Sequence, residues 1–301
     1  MKASRIYTVL LLLFLLSNLA AIALGEGYSL PLDSSPGPVP NPVGYLSETA
    51  YEDETISVNL ESRKIGDSVY NIAWVKIAHP SQLRTALAGP YGAKKRAKPL
   101  AMAEAANAVV AINGDYFQYS SRGYTVRQGE TFRKTVGTKQ LDLLIIDEAG
   151  DFHIIKKSSK KELADFLNGE HTPVNAFTFG PALVKDGEVQ TIYNSYGFSP
   201  QDRAPRVSIG QLGPLEYVLV MVDGRMDGYS RGITIKTLAE FMGELNCQQA
   251  FNLDGGGSAA MVFAGKYFNR MDDRSARDIS DIIYFASAVP ETAWQDAGKQ
   301  E

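Results

Sequence analysis

Residues 250–262 place the tightest limit on the fold. The strand-like Ala250-Phe251 runs into Asn252-Leu253-Asp254-Gly255-Gly256-Gly257-Ser258, and Ala259 to Val262 is apolar again. Three consecutive glycines cost backbone entropy at every position, and Gly-Ser linkers are polar on both sides. This run is flanked by apolar residues, so it belongs inside the core. Glycine there allows close approach of a ligand, and successive N–H groups can form an anion-binding nest.

Two other apolar strands stop in the same manner. Ala108–Ile112 ends at Asn113-Gly114-Asp115, and Glu216–Val222 ends at Asp223-Gly224-Arg225. Asn-Gly and Asp-Gly are common hairpin formers, so each alone reads as a turn. Together they put acids and arginines at strand ends. Arg206, Arg225 and Arg277 offer planar forks that match phosphate oxygens. Asp223 and Asp254 could serve as nucleophile, base or acid at a glycosidic carbon.

The wider pattern favours an α+β class: a single mixed-sheet domain with a few packed helices, its strands outnumbering the helices and mixed irregularly with them. Strands are expected at 56–60, 69–77, 108–112, 141–146, 152–155, 177–184, 207–210, 216–222, 250–251, 260–263 and 282–285. Asp186-Gly187 reads as a hairpin turn. Helices are expected at 100–107 and 159–167, and after Thr234, where Ile235, Leu238, Ala239, Met242 and Leu245 share a face. The cationic group Lys156, Lys157, Lys160 and Lys161 reads as a solvated face.

The chain begins Met1-Lys2-Ala3-Ser4-Arg5, followed by a mainly apolar run from Ile6 to Leu24 with a polar break at Ser17-Asn18. Residues 1–25 fit a cleaved signal peptide or a retained membrane anchor, and either one carries the remainder out of the cytoplasm. Residues 26–50 hold five of the fourteen prolines and read as an extended tether. The folded domain is expected over 51–290, with 291–301 as a tail. Cys247 is the only cysteine, so no intrachain disulfide supports the core. It reads as a small buried hydrophobe, and export without disulfides suits a bacterial cell envelope.

Inventory excludes several functions. A net charge of −4 and no basic stripe argue against a nucleic-acid partner. Gly228-Tyr229-Ser230-Arg231-Gly232 matches an esterase elbow on paper, but Ser230 lies eight residues beyond Val222 and all three histidines precede it. Histidines scattered at 79, 153 and 171 with one cysteine argue against a His- or Cys-rich zinc site. The aspartates leave room for a calcium or magnesium ion on oxygen ligands.

Six segments, in order, resemble the phosphodiester glycosidase family. They are Ala111–Phe117, Phe179–Leu183, Ala204–Gly210, Val220–Arg225, Gly232–Thr234 and Phe251–Ser258. The resemblance covers roughly residues 100–288. It implies an enzyme without a required cofactor that cleaves a sugar from a phosphodiester, N-acetylglucosamine being one candidate sugar. It also implies a cleft lined by Asn113, Arg206, Asp223, Arg225, Asn252, Asp254, Ser258 and Arg277. The family's usual Asn-Gly-Gly-Phe-Phe stretch carries Asp115 and Tyr116 here, which adds a carboxylate and a hydroxyl near that cleft. One of Asp223 and Asp254 would attack or activate water while the other supports it, with the arginines and Gly255, Gly256 and Gly257 on the phosphate. A metal-dependent phosphodiesterase that breaks P–O, and a non-catalytic binder of anionic wall polysaccharide, are the rival readings. The partner is a sugar-phosphate or polysaccharide substrate, and a membrane if the N-terminal segment stays attached.

Overall fold

The computed structural model describes residues 28–119, 123–136, 141–196, 199–271 and 276–295. The expected signal or anchor at residues 1–25 lies outside them. The chain enters with β1 (Tyr45–Ser47), β2 (Ala50–Glu52), β3 (Ile56–Ile65) and β4 (Ser68–Ile77). Strand β5 (Leu83–Leu87), helix α1 (Pro99–Ala105) and β6 (Val110–Asn113) follow. Next come β7 (Gly123–Arg127), β8 (Glu130–Thr135), β9 (Asp142–Asp147), β10 (Phe152–Ile155) and helix α2 (Lys160–Leu167). After them lie β11 (Pro173–Phe179), β12 (Ala182–Lys185), β13 (Glu188–Val189), β14 (Arg206–Gly213) and β15 (Glu216–Val222). Helix α3 (Ile235–Glu244) precedes β16 (Gln249–Asn252), β17 (Met261–Phe263), β18 (Lys266–Tyr267) and β19 (Asp281–Phe285), and α4 (Glu291–Gln295) ends the described chain.

The strands form three sheets, ordered β1-β2-β3-β4-β15-β14-β16-β12-β13, β10-β9-β11-β7-β8 and β18-β17-β6-β19-β5. Every strand pairing among the described residues is antiparallel. This corrects the expectation of one mixed sheet, while the mainly β form of an α+β domain stands. Side-chain alternation identifies a strand but says nothing of its neighbour's direction. Short hairpin turns such as Asp186-Gly187, where both residues have positive φ (53° and 78°), send each strand back beside the last.

Alternation decides what each face meets. In β15, Tyr217, Leu219 and Met221 join the central core, while Val218, Val220 and Val222 pack with α3. In β9, Leu144 and Ile146 face the same core, and Leu143 and Ile145 face α2. Ile283 and Phe285 of β19 also turn inward, and Ile282 and Tyr284 meet α1. Three sheets thus share one core, with a helix on each outer face. Thr234 starts α3 by accepting the Thr237 N–H, and Ile235, Leu238, Ala239 and Met242 form its buried stripe. Complete burial of a side chain such as Leu238 contributes about 1.5–3 kcal/mol.

The proline-rich segment is not the extended tether its composition suggests. The guanidinium of Arg84, only 1% exposed, donates to the carbonyls of Pro31 (2.9 Å), Asp33 (3.0 Å) and Ser35 (3.0 Å). The Gly37 N–H bonds the Ala106 carbonyl at 3.2 Å, and Asn107 Nδ2 returns a bond to the Gly37 carbonyl at 2.8 Å. Proline removes N–H donors and leaves carbonyls over. A buried arginine, all donor and no acceptor, is the complement such a segment needs.

Candidate active site

The ends of β6 and β16 come from different sheets and are fastened together by Asn113. Its Nδ2 donates to the carbonyls of Asp254 (2.7 Å) and Gly114 (3.1 Å), and its Oδ1 accepts the Ala260 N–H (3.1 Å). Asn113 is therefore fully engaged as a staple, and it presents Asp254 at the seam. Two cavities open there. One, of about 260 Å³, is lined by Asn113, Asp115, Tyr116, Asp254, Ser258 and Arg277 among others. The second, of about 180 Å³, is lined by Arg206, Arg225, Asn252, the Gly255–Gly257 run and Arg277, and also touches Asp254. Asp254 and Arg277 belong to both and mark their junction.

The glycine run makes room for arginines. At Gly256, whose φ is +61°, an added Cβ would lie 3.4 Å from Arg225 Nη1; at Gly257 it would lie 3.0 Å from Arg277 Nη2. Both guanidinium groups rest on the loop backbone, and neither makes a hydrogen bond or ion pair among the described residues. The loop is not a three-amide nest. Gly255 N–H is taken by Asp254 Oδ1 (2.9 Å) and Gly256 N–H by the Pro205 carbonyl (2.9 Å), which leaves Gly257 N–H as the unengaged donor among the described residues. Arg206 is buried on backbone carbonyls of Ile233 (3.2 Å), Ser199 (3.1 Å) and Asp202 (2.7 Å). Burial, followed by the charge of Arg225, brings its pKa down to about 10. Arginines crowded together, with no carboxylate ion pair among the described residues, form a site for an anion.

On the other side the charges are acidic. Burial raises the pKa of Asp254; hydrogen bonds from Ser258 and Gly255 and the charge of Arg277 offset part of this, and Asp115 adds to it. Asp115 Oδ1 accepts the Phe117 N–H (2.9 Å) and pairs with Arg127 at 3.0 Å. Arg127 is itself buried, stacked 4.0 Å over the Phe177 ring and bonded through Nε (3.0 Å) and Nη2 (2.7 Å) to Asp281 Oδ2. Burial also pushes the Asp281 carboxyl well up. Neither Arg127 nor Asp281 stands out in the sequence. The one available signal was a charge at a strand end, Arg127 closing β7 and Asp281 opening β19.

Asp223 lies apart, lining neither cavity. Its Oδ2 accepts from Asn71 Nδ2 (2.9 Å), the Tyr229 hydroxyl (3.3 Å) and the Arg270 N–H (3.4 Å). Asn252 donates to the Gly180 carbonyl at 2.9 Å, while its Oδ1 is buried at the arginine cavity without a partner among the described residues. The structure thus brings together Asn113, Asp115, Asn252, Asp254, Ser258, the three glycines and the three arginines.

Comparison with known proteins bears on the fold and the family. The chain is 28% identical over 197 residues to the SPbeta prophage-derived uncharacterized protein YomE of Bacillus subtilis (strain 168). That match takes in 64% of this chain and 30% of YomE, so the chain spans less than a third of that relative. The fold resembles the zebrafish N-acetylglucosamine-1-phosphodiester alpha-N-acetylglucosaminidase catalytic domain, solved auto-inhibited by its pro-peptide. The TM-score is 0.62 at 22% identity, over 77% of this chain and 84% of that one. A hypothetical protein from Synechocystis shares the fold at a TM-score of 0.52 and 17% identity, over 79% and 64% of the two chains. A putative exported protein from Burkholderia pseudomallei K96243 does so at 0.51 and 15%, over 73% and 74%. The sequence profile of the phosphodiester glycosidase family matches residues 106–286, which is 181 of 301 positions and includes the three strand ends, and the chain belongs to that family.

Proposed function

We propose that this domain hydrolyses the glycosidic C–O bond of a sugar 1-phosphodiester, with Asp254 as the reacting carboxylate. One observation carries the reading: the guanidinium groups of Arg225 and Arg277, which make no hydrogen bond or ion pair among the described residues, lie on the Gly256–Gly257 backbone beside the desolvated Asp254. The phosphate occupies the arginine cavity and the sugar the cavity of Asp115 and Tyr116. The anomeric carbon then falls at the junction, next to Asp254.

The reaction follows from that placement. Water adds its oxygen to the anomeric carbon and gives a proton to Asp254, whose raised pKa makes it a stronger base. The C–O bond breaks with its electron pair on the phosphate oxygen, where the guanidinium groups and Gly257 N–H hold the developing charge. A phosphomonoester leaves without an acid's help, so the scheme calls for no cofactor. Asp223 supports the reaction at a distance by anchoring the loop after β15 that carries Arg225. N-acetylglucosamine is the first sugar to test, because the zebrafish enzyme acts on it. The basic, apolar N-terminus supports a location outside the cytoplasm, where envelope or exopolysaccharide polymers would be the substrates.

Hydrolysis in water labelled with oxygen-18 tests this directly. Label in the sugar hydroxyl is expected. Label in the phosphate would overturn the proposal in favour of P–O cleavage, for which Asp115 and Asp254 offer oxygen ligands to calcium or magnesium. Binding of the diester without turnover would favour a polymer-binding module.

A further inference from the structure

The linear spacing of the histidines argued against a zinc site, but the fold gathers two of the three around one acid. Asp147 ends β9, His153 lies on the neighbouring β10, and His171 stands two residues before β11. His153 Nε2 is 2.7 Å and His171 Nδ1 is 3.0 Å from the same atom, Asp147 Oδ2. One ligand atom from each residue lies within 4.8 Å of the other two. Around a tetrahedral zinc ion with bonds of about 2.0–2.1 Å, ligand atoms stand roughly 3.3 Å apart. A small opening of this cluster therefore admits the ion.

The surroundings are arranged for ligation. Asp147 Oδ1 accepts the N–H groups of Ala149 and Asp151, each at 2.9 Å, which fixes the carboxylate and leaves Oδ2 facing the histidines. Phe166 packs edge-on to the His153 ring at 5.0 Å and stacks with His171 at 6.0 Å. Glu148 accepts the Thr172 N–H and so pins the His171 loop to the β9–β10 turn. Aspartate side chains at such sites are commonly held this way by outer partners. The Asp147 side chain is fully buried, whereas those of His153 and His171 are 30% and 51% exposed, so the cluster opens to solvent on its histidine side.

We propose that Asp147, His153 and His171 bind a zinc ion, with water completing the sphere, as a clip joining the β9–β10 hairpin to the loop between α2 and β11. The clip is structural. Along the β9–β11 pairing, Asp147 faces Pro173, while Asp142 at the far end faces Phe179, which lines the arginine cavity. Those six steps of strand span about 20 Å.

The test uses the full, untagged chain stripped with a chelator and titrated with zinc chloride by calorimetry. One zinc per chain is expected, with a rise in melting temperature. His153→Gln and His171→Gln should each weaken binding by about tenfold or more and remove the rise. Asp254→Asn should leave zinc affinity unchanged, since it belongs to the other site. Cobalt(II) in place of zinc should give the intense visible absorption of a four-coordinate ion, lost in both histidine variants. No binding, or binding undiminished in those variants, would overturn the clip. In that outcome the cluster is two imidazoles hydrogen-bonded to one carboxylate.

Discussion

Asp281 lies directly over Gly114: a Cβ on that glycine would fall 2.5 Å from the Asp281 Cγ. The hydrogen atom at this position is what lets the carboxylate reach Arg127, which in turn holds Asp115 at the sugar cavity. Gly114→Ala should displace Asp281, destabilise the domain by about 1–3 kcal/mol through overpacking, and lower kcat/KM. Thermal melts and diester hydrolysis measured on the same sample check this. Wild-type kinetics would show that Asp115 keeps its place without the Asp281–Arg127 pair.

Arginine and aspartate should separate by substrate. Arg225→Ala and Arg206→Ala are expected to cut sugar-1-phosphodiester hydrolysis by about tenfold to a thousandfold, and to spare a nitrophenyl glycoside, which carries no phosphate. Gly256→Val should behave like Arg225→Ala, because its side chain takes the space of that guanidinium and a left-handed φ strains it further. Asp254→Asn should disable both substrates. Equal losses on the two substrates in the arginine variants would mean that these residues hold the fold or the sugar.

Asp254 should cost the fold stability at neutral pH. Its folded pKa is raised above the unfolded value, chiefly by burial, so between the two values the folded state binds the extra proton. Its favourable contribution is complete below the unfolded pKa and is lost as pH rises through the folded one. Asp254→Asn keeps an acceptor for the Gly255 N–H and removes the desolvated charge. The variant should melt higher than wild type at about pH 8, with the difference closing toward about pH 4. A lower melting temperature at the higher pH would show that Arg277 attracts the carboxylate by more than burial costs it.

A chain starting at residue 45 should melt lower than one starting at residue 28. Arg84 loses three carbonyl partners, and hydrogen bonds to a charged group contribute about 1.5–3 kcal/mol each before water replaces them. The expected net loss is about 2–4 kcal/mol, read by denaturant unfolding. Equal midpoints would return the segment to the role of a tether.

What the sequence discloses and what it hides follow from the range of the interactions involved. The strand at 216–222, the Thr234 cap and the Asp186-Gly187 turn are local, and each is found where the pattern puts it. The glycine run was legible as a close approach, but what approaches is a pair of arginines, one of them about twenty residues further along the chain. Arg127 and Asp281 were invisible because their pairing spans 154 positions. His153 and His171 looked scattered because only the turn back from β9 through α2 brings them to Asp147. Proline content suggested a tether over residues 26–50, yet it could not show that Arg84 would collect the carbonyls of Pro31, Asp33 and Ser35 or that β1 would begin at Tyr45.

Strand order has a consequence for when the site comes into being. β19 lies between β5 and β6, and among the described residues β5 has no strand partner except β19. A chain emerging from its N-terminus therefore carries Asn113, Asp115 and Arg127 long before the strand that joins β5 to β6 and supplies Asp281. Asp281 reaches Arg127 only when β19 has followed and paired with β5 and β6. Until then a nascent chain holds the residues of the proposed site without the strand that fixes them, so the site is timed by β19.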